Sequence, residues 1–436
     1  MKSFIVIVVI GLAISGCSPR PAAVHAPIKV EIVQTESGYQ LLRGGEPYTI
    51  KGAGMPIDDI QSFAAHGGNS IRNWTTADTH QNVQDLLDTA HAHGVTVALC
   101  LPMKAERHGF DYNDTDAIAG QLAAFREEVL RYRDHPALLA WIIGNELNHS
   151  YTNPAVYDAV NDVAKMIHAL DPYHPTTSTV SEIEEDLVRE ISRRAPELDF
   201  VSFQLYGKLF VLRETLEEIG YKKPFMVTEW GAIGYWEMET TEWGTPTEMT
   251  SSEKADVFLR GQQDVLASLE GQLIGSYVFL WGQKQERTPT WFGMFMEAGE
   301  ETEAVDVMHY VWKGTWPDNR APRVESLSLN GKSARQSVAL TAGETYVANF
   351  EVLDHENDPL RYRWEVKPES DASKVGGDFE EPVPNIEGLL SNPTAVTTNV
   401  TAPEPGKYRL FAYAYDDHGH AAHANIPFMV NIGDEK

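Results

Sequence analysis

The feature that most limits the possible folds of this chain is an alternation of short apolar runs and helical patterns across residues 48–312. The runs are, in chain order, Tyr48–Ala53, Asn69–Trp74, Val95–Leu101, Leu138–Asn145, Thr176–Val180, Phe200–Tyr206, Pro224–Glu229 and Leu273–Trp281. Apolar runs joined by crossover helices are typical of a parallel sheet whose outer face is covered. Eight such units in about 270 residues predict an α/β fold of the (β/α)8 TIM-barrel type.

A doubly wound open sheet is the competing interpretation of the same alternation. Nucleotide-binding sheets of that kind carry a glycine-rich turn after a strand. No Gly-x-Gly-x-x-Gly or Walker pattern follows any of the eight runs, so the barrel is favoured. A small hairpin, formed by Val30–Thr35 and Gln40–Arg43, is predicted to precede it.

The pattern changes near Pro317, after which short alternating strands are separated by Pro, Gly and Asn without a convincing helix. The runs are Val324–Leu329, Ser337–Thr341, Thr345–Val352, Leu360–Val366, Ala395–Thr401, Gly406–Asp416 and His423–Asn431. Such spacing predicts a C-terminal all-β, immunoglobulin-like sandwich. We expect the barrel and its hairpin in residues 29–318 and the sandwich in residues 319–436.

The N-terminus has the pattern of an export signal. Lys2 precedes the apolar run Phe4–Ile14, which is too short to span a membrane, and Ile14–Cys17 resembles a bacterial lipobox. We expect residues 1–16 to be a signal peptide, Cys17 to carry a lipid and residues 17–28 to form a tether. The expected location is the cell envelope, lipid-anchored at the outer membrane or cell surface. An ordinary signal peptide with an incidental cysteine is the alternative.

Composition excludes several classes of partner. The chain has 35 Lys+Arg against 63 Asp+Glu and a formal net charge of −28, so nucleic acids and anionic lipids would be repelled. Two cysteines in 436 residues exclude a disulfide-rich scaffold and a four-cysteine zinc site. Cys100 lies in an apolar run and is expected to be a small buried residue. We expect a monomer without a cofactor, which meets the membrane only through its N-terminal lipid.

Two glutamates stand where a barrel places its working residues, at the C-terminal ends of strands. Glu146 follows the fourth run and Glu229 ends the seventh, on opposite sides of an eight-strand ring. Paired carboxylates cleave glycosidic bonds: one protonates the leaving oxygen, and the other attacks the anomeric carbon or activates water. Other polar or aromatic side chains lie near the same ends: Arg72, Trp74, Asn145, Tyr206 and Trp281.

Each glutamate alone also has a purely structural interpretation. Glu146 could be an acid in the first turn of a capped helix, and Glu229 could pair with Lys222 or Lys223. Arg72 could form a structural ion pair, and Tyr206 and Trp281 could be ordinary core aromatics. The coincidence of both glutamates at the fourth and seventh strand ends favours catalysis.

Asn145-Glu146 after the fourth run, with Glu229 ending the seventh, resembles the clan A glycoside hydrolases, or 4/7 superfamily, over about residues 40–315. The resemblance implies a retaining mechanism in which Glu146 is the acid/base and Glu229 the nucleophile. The spacing of 83 residues between the glutamates (229 − 146) and the C-terminal sandwich look most similar to family 158 endo-β-1,3-glucanases.

The same resemblance implies roles for the neighbouring residues. Asn145 would bind the sugar 2-hydroxyl, and Trp281 would form the floor of the subsite for the sugar being cleaved. Arg72 and Tyr206 would hold Glu229 and favour its charged form, as a neighbouring arginine does by lowering a carboxyl pKa.

Aromatic residues are expected to bind the substrate. Trp74, Trp236, Trp243 and Trp291 are candidates to stack against sugar rings, and packing within loops is the alternative for those after strands seven and eight. The expected substrate is a neutral β-glucan such as laminarin, cleaved at internal β-1,3 bonds. The alternatives are mannan, β-1,4-glucan, an exo-acting β-glycosidase, or a non-catalytic glycan-binding lipoprotein.

Asp and Asn residues of the C-terminal segment could gather at one end of the sandwich and bind calcium. They are Asp354, Asn357, Asp358, Asp416 and Asp417. Ordinary turn chemistry is the favoured interpretation, and no metal is expected.

Overall fold

The computed structural model describes residues 26–77, 82–371 and 376–432. The predicted signal peptide, Cys17 and residues 17–25 of the tether lie outside this part of the chain. No helix within the described ranges is long and apolar enough to cross a membrane.

A small antiparallel sheet precedes the barrel, as predicted. Its strands are β1 (Val30–Thr35), β2 (Gly38–Arg43) and β3 (Glu46–Pro47). Val30 and Leu41 of this sheet belong to the same buried cluster as Leu139, Phe200 and Met226 of the barrel strands. The hairpin therefore contributes to the core.

Eight parallel strands close into a ring, which confirms the predicted barrel. They are β4 (Gly52–Gly54), β5 (Ser70–Arg72), β6 (Thr96–Leu101), β7 (Leu138–Asn145), β8 (Thr176–Val180), β9 (Phe200–Gln204), β10 (Phe225–Gly231) and β11 (Leu273–Phe279). Neighbours in sequence are neighbours in the ring, and β11 pairs with β4 to close it.

Helices cover the outside of the barrel. They are α1 (Ile60–Ala65), α2 (Val83–Ala92), α3 (Thr115–Tyr132), α4 (Ala155–Leu170), α5 (Glu185–Arg194), α6 (Leu212–Glu218), α7 (Ser251–Arg260) and α8 (Glu303–Lys313). The side chains of strand β7 pack on both faces of the barrel. Trp141 belongs to the apolar cluster that includes the surrounding helices, whereas Ile142 belongs to the cluster that contains the hairpin residues. Alternate side chains of a strand point to opposite faces.

The C-terminal part is an all-β domain, as predicted. Its strands are β12 (Arg323–Leu329), β13 (Val338–Thr341), β14 (Thr345–Leu353), β15 (Arg361–Pro368), β16 (Thr397–Thr401), β17 (Gly406–Tyr415) and β18 (Ala421–Asn431). They form one sheet ordered β12-β14-β16 and another ordered β13-β18-β17-β15. Phe350, Trp364 and Leu410 lie in the apolar cluster shared by the two sheets.

A buried polar network joins the two domains. Glu248, 5% exposed, accepts hydrogen bonds from Lys254 (2.6 Å), Thr288 (2.7 Å), Thr290 (2.8 Å) and, from the all-β domain, Asn425 (2.6 Å). Since a buried charge is tolerated only when it is paired and hydrogen-bonded, this network holds the all-β domain against the barrel.

Candidate active site

Glu146 and Glu229 line one cavity of about 1310 Å³ at the C-terminal ends of the barrel strands. Glu146 directly follows β7, and Glu229 lies within β10, two residues before the strand ends. The carboxylate-bearing residues are 9% and 5% exposed, respectively. Pockets for drug-sized ligands span roughly 300–1,000 Å³, so this cavity has room for more than one sugar unit.

Four side chains donate hydrogen bonds to Glu229. Its Oε1 accepts from Arg72 Nη1, from Trp74 Nε1 at 2.8 Å and from Gln204 Nε2 at 3.1 Å. Its Oε2 accepts from the Tyr206 hydroxyl at 2.8 Å. Donors of this number fix a carboxylate in position and favour its charged form.

Burial opposes that effect at Glu229. Removal from water raises the pKa of this carboxyl, and the nearby negative charge of Glu146 raises it further, while Arg72, Trp74 and Tyr206 lower it. The net result is a Glu229 pKa above the ordinary value of a glutamate. Arg72 favours the charged form, as predicted, but burial and Glu146 together outweigh it. Burial likewise raises the pKa of Tyr206 well above its ordinary value, which keeps its hydroxyl a donor.

Asn145 is oriented by the same residues that hold the nucleophile candidate. Its Oδ1 accepts from Arg72 Nη2 at 2.8 Å and from Gln204 Nε2 at 2.8 Å. Arg72 and Gln204 thus bridge Asn145 and Glu229. With its carbonyl oxygen committed to these two donors, the side-chain amide nitrogen is the group that can bind a substrate oxygen.

Glu146 has a different environment from Glu229. Its backbone adopts a left-handed conformation (φ +48°), and its amide donates to Thr179 O at 3.1 Å. His149 Nε2 lies 3.2 Å from Oε2 of its carboxylate. Among the described residues, no lysine or arginine forms an ion pair with Glu146. Non-glycine residues in this conformation cost energy and are concentrated at functional sites.

Two of the predicted tryptophans line the cavity. Trp74 lies beside Glu229, and the Arg72 guanidinium is 5.0 Å from the centre of its ring. Trp236 is 53% exposed and packs edge-on against Tyr206, with ring centres 5.5 Å apart. An exposed aromatic face in a cavity can cover the C–H face of a sugar ring through apolar contact.

The prediction for Trp281 is wrong. Its side chain is fully buried and packs against Phe63, Phe295 and Trp312, at ring separations of 5.3–5.4 Å, outside the residues that line the cavity. Strand β11 ends at Phe279, two residues before Trp281, although the Trp281 amide still donates to Gly54 O of β4 at 3.1 Å. Phe279 is the aromatic residue that this strand contributes to the cavity.

Trp243 and Trp291 were also predicted to bind substrate, and neither is among the described residues that line the cavity. Trp291 is 1% exposed, and its Nε1 donates to Ile233 O at 2.9 Å. Trp243 lies beside the all-β domain, where its carbonyl accepts from Lys407 Nζ at 3.1 Å. Trp291 therefore packs within the protein, which was the alternative interpretation, and Trp243 is half-buried outside the cavity.

Several residues of the cavity were missed by the sequence analysis. Gln204 ends β9 and could have been found by the same strand-end argument that singled out Tyr206. Phe279 and the pair Lys284–Glu286, at 2.6 Å, had no such signal. Residues 376–378 of the all-β domain also line the cavity.

Two groups of acidic residues and histidine lie close enough to hold a metal ion, away from the cavity. They are Glu301, Asp306 and His420, and Asp354, Asp358 and Asp416, each with ligand atoms within 4.8 Å of one another. Three of the five residues considered for calcium therefore do gather. Asp354 Oδ1 accepts from the amides of Glu356 and Asp358, which is ordinary turn chemistry.

Residues 51–244 match the family model described as "Glycosyl hydrolases family 2, TIM barrel domain". The match begins at the first barrel strand and includes both glutamates. Over these residues the chain is similar to the barrel domain of that family. No curated protein matches the chain by sequence.

Solved structures show the same fold at low sequence identity. A calcium-binding mutant of β-glucuronidase 2 from Bacteroides uniformis is 14% identical over 92% of this chain and 48% of its own, with a TM-score of 0.51. The β-glucuronidase of Dictyoglomus thermophilum is 18% identical over 67% and 54% (TM-score 0.51). That of Bifidobacterium dentium is 17% identical over 67% and 50% (TM-score 0.52). This chain spans about half the length of these proteins.

Proposed function

We propose that this protein is a retaining glycoside hydrolase in which Glu229 is the nucleophile and Glu146 the acid/base. The observation that carries the proposal is the contrast between two carboxylates in one cavity. Glu229 is fixed by four donors, including a buried arginine, whereas Glu146 has a histidine neighbour and no ion pair with a lysine or arginine of the described chain. Two carboxylates whose environments differ are suited to different catalytic roles.

The reaction takes two displacements. A Glu229 oxygen attacks the anomeric carbon while the Glu146 carboxylic acid gives its proton to the departing glycosidic oxygen, so that a glycosyl–Glu229 ester forms and the first product leaves. Glu146, now a carboxylate, removes a proton from water, whose oxygen attacks the same carbon. The ester breaks, Glu229 is released as a carboxylate, and Glu146 is again protonated.

For the substrate we propose a neutral β-1,3-glucan such as laminarin, cleaved internally. The size of the cavity and the exposed face of Trp236 support an extended glycan. The family 158 resemblance of the sequence supports the β-1,3 linkage. Mannan and β-1,4-glucan remain alternatives for the same machinery.

A glycan with uronic acid units is a second candidate. Lys104 and Arg107 line the cavity, and a cation beside a sugar site can pair with a substrate carboxylate. The structurally similar proteins named above are β-glucuronidases.

Hydrolysis of a panel tests the function and separates these substrates. Laminarin, β-mannan, a β-1,4-glucan and an aryl β-glucuronide are each incubated with the protein, and the configuration of the product is followed by NMR. We expect oligosaccharides from laminarin, first released as the β-anomer.

The Glu229→Ala variant should lose turnover by about 10⁴-fold or more, whereas Glu217→Ala, on the exposed surface of α6, should match the wild type. Inversion of configuration, or full activity of Glu229→Ala, would contradict the proposed mechanism.

We also propose that Cys17 is lipidated and holds a monomeric enzyme in the cell envelope. The lipobox-like sequence supports this. A Cys17→Ser variant should lose incorporation of labelled palmitate and its membrane association, while incorporation that persists would exclude Cys17 as the attachment site.

A further inference from the structure

The cavity is lined by both domains. Gly376, Gly377 and Asp378, which come from the segment between β15 and β16 of the all-β domain, line it together with Glu146 and Glu229. We call residues Gly376–Glu380 the strap. Its position raises the question of whether the all-β domain serves only to stabilise the barrel.

On one side, the strap contacts residues that follow β10 and β11. Glu380, 6% exposed, accepts from the Arg287 amide at 2.8 Å. A Cβ atom placed on Gly376 would be 3.3 Å from Glu286 Oε1 and 3.5 Å from the ring of Trp236. Backbone at this point therefore lies against the side chains that form the cavity wall.

On the other side, the strap reaches the segment that follows β6. Asp378 Oδ1 lies 3.3 Å from Nε2 of His108, and both residues line the cavity. In the ring, β4 and β5 lie between β11 and β6. The strap thus connects two loops on opposite sides of the β4–β5 part of the barrel mouth.

The strap also lies close to the residues that hold the nucleophile candidate. Its neighbour Trp236 packs on Tyr206 at 5.5 Å, and the Tyr206 hydroxyl donates to Glu229 at 2.8 Å. A sugar unit next to the one bound at Glu229 on this side would meet Trp236 and the strap together.

The contacts between the domains hold the all-β domain, which carries the strap, against the barrel. Asn425 of β18 donates to the buried Glu248, and Arg409 of β17, 1% exposed, donates to Pro246 O at 3.0 Å. Because these contacts are buried and polar, small rotations of the all-β domain would break them. A loop held on such a base can act as a rigid binding surface.

We propose that the all-β domain supplies one wall of the glycan-binding cleft, and that the strap, Trp236 and His108 form a subsite for a sugar unit beside the one cleaved. The proposal rests on the glycosidase function above. It makes the strap a determinant of substrate length. Acceptor and donor groups for sugar hydroxyls are present there in the Asp378 carboxylate, the backbone amides and the His108 ring.

The test compares long and short substrates in the full-length protein. The kcat/KM values for laminarihexaose and laminaritriose, or for the corresponding oligosaccharides of whichever glycan the wild type cleaves, are measured for Asp378→Ala and Gly376→Val. We expect the ratio of long to short substrate to fall about fivefold in Asp378→Ala, as for loss of one hydrogen bond, and further in Gly376→Val. Two controls, Asp417→Ala on the exposed surface of the same domain and Gly120→Val in open space on α3, should keep the wild-type ratio.

The possible outcomes separate the two proposals. Hydrolysis by the wild type with unchanged ratios in both folded strap variants would overturn the role of the strap and leave the glycosidase function standing. Absence of hydrolysis of every glycan by the wild type would overturn both. If Gly376→Val does not fold, the ratio in Asp378→Ala decides.

Discussion

The fully buried guanidinium of Arg72 donates from Nη1 to Glu229 Oε1. Through Nη2 the same guanidinium donates to Asn145 Oδ1 at 2.8 Å. One rigid fork therefore sets the distance between the nucleophile candidate and the amide expected to bind the sugar. Lysine could not reproduce this geometry, because it offers a single nitrogen.

Replacement of this arginine should affect both activity and stability. In Arg72→Met the Glu229 carboxylate is buried without its cation, and its pKa rises further. We expect kcat/KM to fall about 100-fold or more, the acidic limb of the pH profile to move to higher pH, and stability to drop by about 3 kcal/mol. Kinetics over a pH series and urea unfolding measure these effects.

Arg189→Met, which removes an exposed ion pair with Glu185 on α5, is the control and should change neither activity nor stability. An unshifted acidic limb in a folded Arg72→Met would show that Arg72 does not tune Glu229.

The two tryptophans of the loop after β10 should behave differently. Trp236 lines the cavity, whereas Trp243 is half-buried and does not line it. Trp236→Ala should therefore raise KM for glycans about tenfold, whereas Trp243→Ala should lower the melting temperature with KM retained. Steady-state kinetics and thermal unfolding of both variants check this. Equal effects on KM would contradict the placement of the two rings.

Acid should weaken the contact between the domains. Lys254 and other cations nearby hold the pKa of the buried Glu248 at about 2 despite the opposing effect of burial. A depressed carboxyl pKa gives stability that is present above the unfolded value, about 4.3, and is lost as the pH falls towards 2. Burial lowers the pKa of His423 to about 3, so its protonation on unfolding adds to the loss below about pH 6.5.

The Glu248→Gln variant isolates the first of these effects. It should be less stable than the wild type at pH 7 by about 2–4 kcal/mol, and this difference should shrink between pH 5 and pH 2. Denaturant unfolding at a series of pH values measures it. Glu404→Gln, on the exposed surface of the all-β domain, should show no such difference. A difference in stability between the wild type and Glu248→Gln that stays constant with pH would be inconsistent with the depressed pKa of Glu248.

Asp306 should have the opposite dependence on pH. Burial raises the pKa of this carboxyl to about 7, although the Ala321 amide donates to its Oδ2 at 2.7 Å. Its contribution to stability is therefore full below about pH 3.9 and is lost as the pH rises through 7. We expect Asp306→Asn to melt at a higher temperature than the wild type at pH 8, with the advantage gone at pH 4. A stabilisation that is the same at both pH values would argue against a raised pKa.

Strand periodicity predicted several parts of the molecule to the residue. Strand β7, Leu138–Asn145, and strand β8, Thr176–Val180, have the limits expected from their apolar runs. The expectation that Glu146 and Glu229 share a site followed from the same reasoning, because barrel strands in chain order put their C-terminal ends on one face.

Where a strand ends in three dimensions could not be predicted in the same way. Phe279 and Trp281 both belong to one apolar run, but hydrogen bonding between β10 and β11 stops at Phe279. Hydrophobicity could not distinguish them, since both side chains are buried, one beside the cavity and the other against α1 and α8.

The sequence by itself determined the alternation of strands and helices, the ring they form and the pair of glutamates at its mouth, because these depend on local periodicity and chain order. Tertiary structure decided which aromatic rings reach the cavity, how far burial raises the pKa of Glu229, and that Gly376–Asp378 of a second domain join the same site. Burial and contacts between distant segments depend on the packing of the whole chain, and no local pattern records them.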